Sequence, residues 1–412
     1  MANETSHSRF ARGNFWTWLF EFFDHYGILI LGAFLLVYPF LLQWLNALIF
    51  LAEDHDMMNL AYFLSRLRAF IPSTPLMIQI IIYAFFGIAF NVIMGYTGML
   101  SLGHAAFFGV GGYTVGLMHH WFRPGSQVPS WITNAFTAYP LEISLISSVV
   151  VSALVAWTVG ILASQKRGVY FAMLTLALSQ VFYYAAQTFD DITGGTDGRG
   201  GLQNMRLGTL DLRVGIMDAE VTYYFIFIIV AISTAIIWQI LRSPFGHVLQ
   251  AIRENERRAR NCGYDTNKVR LLAFTVSGVF SGLAGALAII YGESVPIENI
   301  HFVTSGQVVI ISLFGGTGVF LGPAAGSFIY WYLRQLMSTE FVKYIAIFQY
   351  WEMWVGGIFI LIVLFLPQGI LGTIRSWTVD YRTKRLLRAL GQRQGEEVAS
   401  QALGREVGDA RP

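Results

Sequence analysis

Long apolar runs without charge alternate with short polar interruptions along most of the chain. A hydrocarbon core about 30 Å thick is crossed by roughly 20 apolar residues in a helix. On that measure spans are expected at 27–50, 76–95, 98–118, 143–163, 168–189, 221–241, 271–291, 301–315, 318–333 and 353–372. Two runs are too long to be single helices. Between Arg68 and Arg123 lie 54 residues without an Asp, Glu, Lys or Arg. At about 1.5 Å per residue a helix of that length would reach about 81 Å. The chain must fold back, and Gly95-Tyr-Thr-Gly98 supplies the turn, because glycine reaches the positive φ of tight reversals. Gly315-Gly-Thr-Gly318, followed by Gly322-Pro323, does the same for the stretch 299–333, which reads as two spans or a re-entrant pair. The expected fold is an all-α polytopic membrane protein of about ten transmembrane helices.

Composition agrees with that pattern. Of the 412 residues 55% are hydrophobic and only 13% are charged, against about 25% charged in an ordinary soluble domain. A soluble enzyme, a disordered chain and a nucleic-acid binder with a basic face are therefore excluded. Charge distribution sets the orientation, since Lys and Arg accumulate on the cytoplasmic side. With both termini cytoplasmic, 19 of the 27 Lys and Arg fall inside, seven of them in the loop 242–270 and eight in the C-terminal tail. Residues 1–26 read as an N-terminal interfacial segment rich in Trp and Phe, 27–375 as the transmembrane domain, and 376–412 as a basic, disordered tail.

The spans lack the chemistry of several function classes. No acidic or basic residue stands near the middle of any span; Glu142, Arg334 and Glu352 are at the edges, so an ion-coupling carboxylate at depth is missing. The four lysines, Lys166, Lys268, Lys343 and Lys384, never follow a glycine, which excludes a Gly-x-x-x-x-Gly-Lys phosphate loop. Any ATP used must be bound by another polypeptide, and no cofactor is expected on this chain. His104 is the histidine inside a span and has no His-Glu-x-x-His companion, and Cys262 is the only cysteine. No metal site and no enzymatic activity are expected.

Neutral polar residues remain. Thr175, Ser179, Tyr183 and Gln187 recur every four residues on one helical face. Asn91 and His104 flank the first glycine turn, and Gln307 precedes the second. These residues either line a polar translocation path or hold helices together by hydrogen bonds. Gly278, Gly282 and Gly285 have the spacing of close helix packing. In the loop 242–270, Ser243-Pro-Phe-Gly246 is a stop-and-turn signal, and a helix over His247–Asn261 carries Glu254, Asn255, Glu256, Arg257 and Arg258 before Gly263 closes it. Glu254 and Arg258 stand at i,i+4, where an ion pair is worth about 0.2–0.5 kcal/mol. A short charged helix of this kind suits a surface that docks a partner; an ordinary basic loop is the plainer reading.

The stretch Ser243-Pro-Phe-Gly-His-Val-Leu-Gln-Ala-Ile-Arg-Glu-Asn-Glu256, continuing through Gly263 to Ser281-Gly-Leu-Ala-Gly-Ala286, resembles the coupling region of bacterial ABC-importer permeases, in the branch that includes branched-chain amino acid permeases. Asn91 to Phe107, Ile192 to Gly198, Phe314 to Pro323 and Leu366 to Gly372 agree with the same family, so the likeness runs over roughly 75–375. Many ABC permeases have Glu-Ala-Ala with a glycine six residues after the Glu, whereas Glu256 here stands seven before Gly263 and is followed by two arginines. The resemblance implies an ATP-driven importer in the bacterial inner membrane. Its other members would be a second homologous permease, two cytoplasmic ATPase subunits that use the ATP, and a periplasmic substrate-binding protein. Glu254, Asn255, Glu256, Arg257, Arg258 and Gly263 would couple to the ATPases. Urea or another amide is the alternative substrate, and a passive channel or secondary carrier for small neutral solutes the alternative class.

Overall fold

The computed structural model describes residues 15–54, 57–122, 128–200, 205–206, 213–215, 218–343, 346–374 and 376. The described residues are almost entirely helical. In order come α1 (Phe15–Asp54), α2 (Met58–Ala69), α3 (Thr74–Thr97), α4 (His104–Trp121), α5 (Ser130–Ala138), α6 (Pro140–Ala163) and α7 (Val169–Thr188). They are followed by α8 (Asp190–Thr193), α9 (Ala219–Arg242), α10 (Pro244–Asn261), α11 (Thr266–Gly292), α12 (Phe302–Gly315), α13 (Gly322–Gln335) and α14 (Trp351–Phe365). One two-residue antiparallel ladder pairs Met205–Arg206 with Arg213–Val214.

Among the described residues seven stretches are long and apolar enough to cross a membrane: Leu31–Ala52, Met58–Thr97, Pro140–Ala163, Val169–Thr188, Ala219–Arg242, Thr266–Gly292 and Trp351–Ile374. The chain is a multi-pass membrane protein of the all-α class. The other three expected spans are helices as well, but α4 carries three histidines, and α12 and α13 have 14 residues each. Fourteen residues reach about 21 Å, less than a hydrocarbon core of about 30 Å. The expected segment 1–26 does not end in a break, because α1 runs on from Phe15 through that boundary; residues 1–14 and the tail 377–412 lie outside the described residues. α2 has no counterpart among the expected elements.

α3 is apolar on every side, and a helix of that kind belongs in an interior. Ser73 begins it, its side chain accepting from the Leu76 N–H, with Pro75 in the first turn. Gly98, at φ 73°, ends it at the expected turn. The second buried helix is α11, whose glycines face two neighbours. A methyl group on Gly282 would come within 1.9 Å of Ser152 Oγ in α6, and one on Gly285 within 1.8 Å of the Phe108 carbonyl oxygen in α4. α6 answers with a small, buried face of Ser144, Ser148, Ser152, Ala156 and Gly160, while Ile146, Val150, Leu154 and Ile161 are exposed on its other side. Small residues inward and large apolar residues outward is the arrangement that suits lipid as solvent.

The connections gather at two opposite ends. At one end the α3–α4 turn, the 164–168 turn, α10, the 316–321 turn and the segment after α14 adjoin one another. Arg253 bonds the Gly95 carbonyl, Arg270 the Lys166 carbonyl, and Gly316 sits against Gln368 and Gly372. At the other end Tyr332 bonds the Phe70 carbonyl at 2.6 Å, and Arg199 pairs with Val295 across a β-bridge.

Candidate functional site

The site is built around α10. Pro244 fits the first turn of a helix, where its missing N–H is not needed. Gly246 lets the reversal close, since a methyl group there would come within 2.0 Å of the Leu241 carbonyl oxygen. The helix therefore starts at Pro244, three residues before the expected start, and it is not one straight piece. Asn255 has φ −157° and ψ 97°, which breaks the helix in the middle of its charged stretch. Its side-chain oxygen accepts from the Arg258 N–H at 3.0 Å, so Asn255 caps the start of the second half. Gly263 closes that half at φ 90°, its N–H donating to the Arg260 carbonyl at 2.9 Å, as the glycine in the sequence implied. The break removes the expected i,i+4 geometry, and among the described residues no ion pair joins Glu254 to Arg258.

Side chains on α10 divide between two directions. Glu254, Asn255, Arg257 and Arg258 are exposed, as is Gly263. Glu256 turns inward and is one-fifth exposed: its Oε1 lies 2.7 Å from Arg167 Nη2, 3.3 Å from Arg260 Nη2 and 3.6 Å from Arg270 Nη1, and accepts from Thr266 Oγ1 at 3.0 Å. Arg270 is fully buried; its Nε donates to Met99 Sδ at 3.0 Å and its Nη2 to the Lys166 carbonyl. A buried charge needs an opposite partner, and Glu256 supplies it from four residues before Arg260 and ten before Thr266. Asp265 caps α11 by accepting from the Lys268 N–H at 3.2 Å, and this bond holds its carboxyl below the usual carboxylate range. Sequence reasoning missed Arg167 and Arg270, and it placed Arg253 on the charged helix without its partner Gly95; all three have partners remote in the chain.

The candidate path residues separate into two groups. Asn91 is buried and spans the second glycine turn, its Nδ2 donating to the Val319 carbonyl at 2.9 Å and its Oδ1 accepting from the Gly318 N–H at 3.1 Å. His104 is fully buried with both ring nitrogens bonded at 2.8 Å, Nδ1 to Ser101 Oγ and Nε2 to Ser277 Oγ. Ser277 gives its only proton to the Ala89 carbonyl at 2.7 Å, so it accepts from Nε2–H, and Ser101 must donate to Nδ1. That chain of bonds ties α3, α4 and α11 together, with Phe90, Phe107 and Phe274 edge-on to the imidazole. Thr175, on α7, accepts from the Leu102 N–H at 3.1 Å, and Ser305, on α12, from the Ala105 N–H at 2.8 Å. Hydroxyls from two other helices thus satisfy amides at the start of α4, where apolar surroundings offer no water.

Ser179 is buried beside Thr175 at a crevice too narrow for a water molecule, which Gly103, Phe107 and Phe274 also border. Its hydroxyl has no hydrogen-bond partner among the described residues. Further along the same face Tyr183 is half-buried, edge-on to His301 at 4.8 Å, and Gln187 is exposed. Gln307, on α12, is half-buried and faces Tyr330. Among the described residues no group of three His, Cys, Asp or Glu is placed to hold a metal ion.

Residues 74–364 match the family model described as the permease component of the branched-chain amino acid transport system. The high-affinity branched-chain amino acid transport system permease protein LivM of Salmonella typhimurium is 27% identical, over 77% of this chain and 72% of its own length. LivM of Escherichia coli is 26% identical, over 71% and 68%. The fructose import permease protein FrcC of Rhizobium meliloti is 25% identical, over 65% and 79%. No solved structure matches.

Proposed function

This chain belongs to the family of branched-chain amino acid transport permease components, and from that premise we propose that it is the membrane-spanning permease subunit of an ATP-driven importer of branched-chain amino acids in the bacterial inner membrane. The complete transporter pairs it with a second, homologous permease. Two separate ATPase subunits bind and hydrolyse the ATP, and a periplasmic protein delivers the substrate. The chain crosses the membrane ten times, with both termini and α10 in the cytoplasm.

The observation that carries this reading is the construction of α10. Glu256 is tied into the body of the protein, while Glu254, Asn255, Arg257 and Arg258 stand out from it on the end rich in Lys and Arg. A capped, charged, outward-facing half-helix is a docking surface, and with no phosphate loop in the sequence the docked partner is the source of hydrolysis. Asn91, His104 and Thr175 spend their hydrogen bonds inside the protein, so they hold helices together. The path runs along Ser179, Tyr183, Gln187 and Gln307, neutral groups that let a zwitterion pass without holding it.

The test is purification of the affinity-tagged chain from membranes of its own host, with leucine uptake measured in the same cells. ATPase subunits and a second permease should accompany the wild-type chain. Arg258→Glu should insert normally yet lose the ATPases and the uptake. Uptake that persists after ATP depletion would overturn the importer in favour of a carrier.

A further inference from the structure

The two halves of α10 are fastened to different parts of the protein. Before the break, Arg253 directs its guanidinium to the carbonyl of Gly95, in the last turn of α3. The last carbonyls of a helix have no partner within it and form the negative end of its dipole, so a cation there is doubly favoured. The same side chain fills the space between the two glycine turns. A methyl group on Gly98 would come within 3.2 Å of Arg253 Cγ, and one on Gly318 within 2.7 Å of its Nη1. Gly318 is itself held by Asn91 of α3. Arg253 thus grips α3 and the α12–α13 turn as one unit. After the break, Glu256 grips a different unit, through Arg167 in the α6–α7 turn and through Thr266 and Arg270 at the start of α11. Three positions apart, two ties of opposite charge lead to two groups of spans, with the extended Asn255 between them.

We propose that Arg253 and Glu256 are the transmission residues of α10. A push on its exposed face bends the helix at Asn255 and displaces the α10-side ends of α3, α12 and α13 against those of α6, α7 and α11, about the Ala89–Ser277–His104 bonds that tie α3, α4 and α11 at greater depth. Arg253 is exposed along its length but spends its guanidinium on the Gly95 carbonyl, and Glu256 is only one-fifth exposed, so each works by positioning spans, not by binding the ATPase. The inference rests on the importer reading and adds to it the route by which the push reaches the spans.

The test uses the complex that the tagged chain co-purifies, reconstituted in vesicles with radiolabelled leucine and the host's periplasmic extract. Arg253→Ala should keep the ATPases bound and hydrolysing, while leucine accumulated per ATP falls about tenfold, the equivalent of about 1.4 kcal/mol. Arg253→Lys, which keeps a cation within reach of the helix end, should recover part of that ratio. Should Arg253→Ala fail to insert, Arg253→Lys carries the test alone and must lower leucine per ATP with the ATPases still bound. A wild-type ratio in the inserted variant overturns the proposal, and so does an equal loss of uptake and hydrolysis, which a merely structural role would produce. A wild-type chain that brings down no ATPase overturns the importer reading itself, before any variant is made.

Discussion

Asn91 was readable as a polar residue beside a glycine turn, but its purpose was not. Its partners, Gly318 and Val319, are 227 and 228 positions away. His104 and Ser277 are 173 apart, and Thr175 and Leu102 are 73 apart. A four-residue spacing tells that polar groups share a face; whether that face meets a path or a neighbouring backbone depends on helices that sequence spacing does not bring together. The geometry at Asn91 makes a definite demand. Asn91→Leu keeps much of the volume but strips a part-buried N–H and a part-buried C=O of their partner, at no more than about 1–3 kcal/mol for each group left unsatisfied. The purified variant should lose its monodisperse elution at a lower temperature than the wild type. An unchanged thermal profile would mean that the turn holds without Asn91.

Whole elements were more legible than their details. The charge-free runs located every long apolar helix among the described residues, and the glycine turns fell where the reversals are, because lipid enforces long unbroken helices and permits reversals only at their ends. α2 escaped because Arg66 and Arg68 interrupt its apolar pattern. The break at Asn255 escaped because the residues around it are good helix formers; only the cap on Arg258 N–H gives it away. Small residues on α4 and α11 pointed to close packing, and the contact now ranks them. A methyl group on Gly111 would come within 2.0 Å of the Gly282 carbonyl oxygen, with that residue's backbone carbon and Cα behind it, so nothing flexible can move aside. On Gly112 the nearest atom is Ile289 Cγ1 at 2.6 Å, on a side chain that can turn. Gly111→Ala should therefore destabilise the chain by about 1–3 kcal/mol, and clearly more than Gly112→Ala. Equal stability of the two variants, measured by the same thermal assay, would show that α4 and α11 slide apart at little cost.

At the scale of the molecule, packing and charge answer different questions. Packing alone places Lys166, Arg167, Arg253 and Arg270 at one end and Phe70, Arg199, Val295 and Tyr332 at the other. It is silent on which end faces the cytoplasm. The proposed cytoplasmic placement of α10 rests on the charge count, which puts 19 of 27 Lys and Arg on that side. The chain provides its own reporter, because Cys262, the only cysteine in the sequence, is exposed at the end of the docking half-helix. A membrane-impermeant maleimide should leave Cys262 untouched in intact cells and label it readily in inside-out vesicles. Docked ATPase subunits should slow that labelling, since Cys262 follows the exposed charged turn directly. Asp191, exposed at the opposite end, supplies the converse: Asp191→Cys on a Cys262→Ser background should react from outside the cell. Labelling of Cys262 in intact cells would reverse the orientation and remove α10 from the reach of any cytoplasmic ATPase.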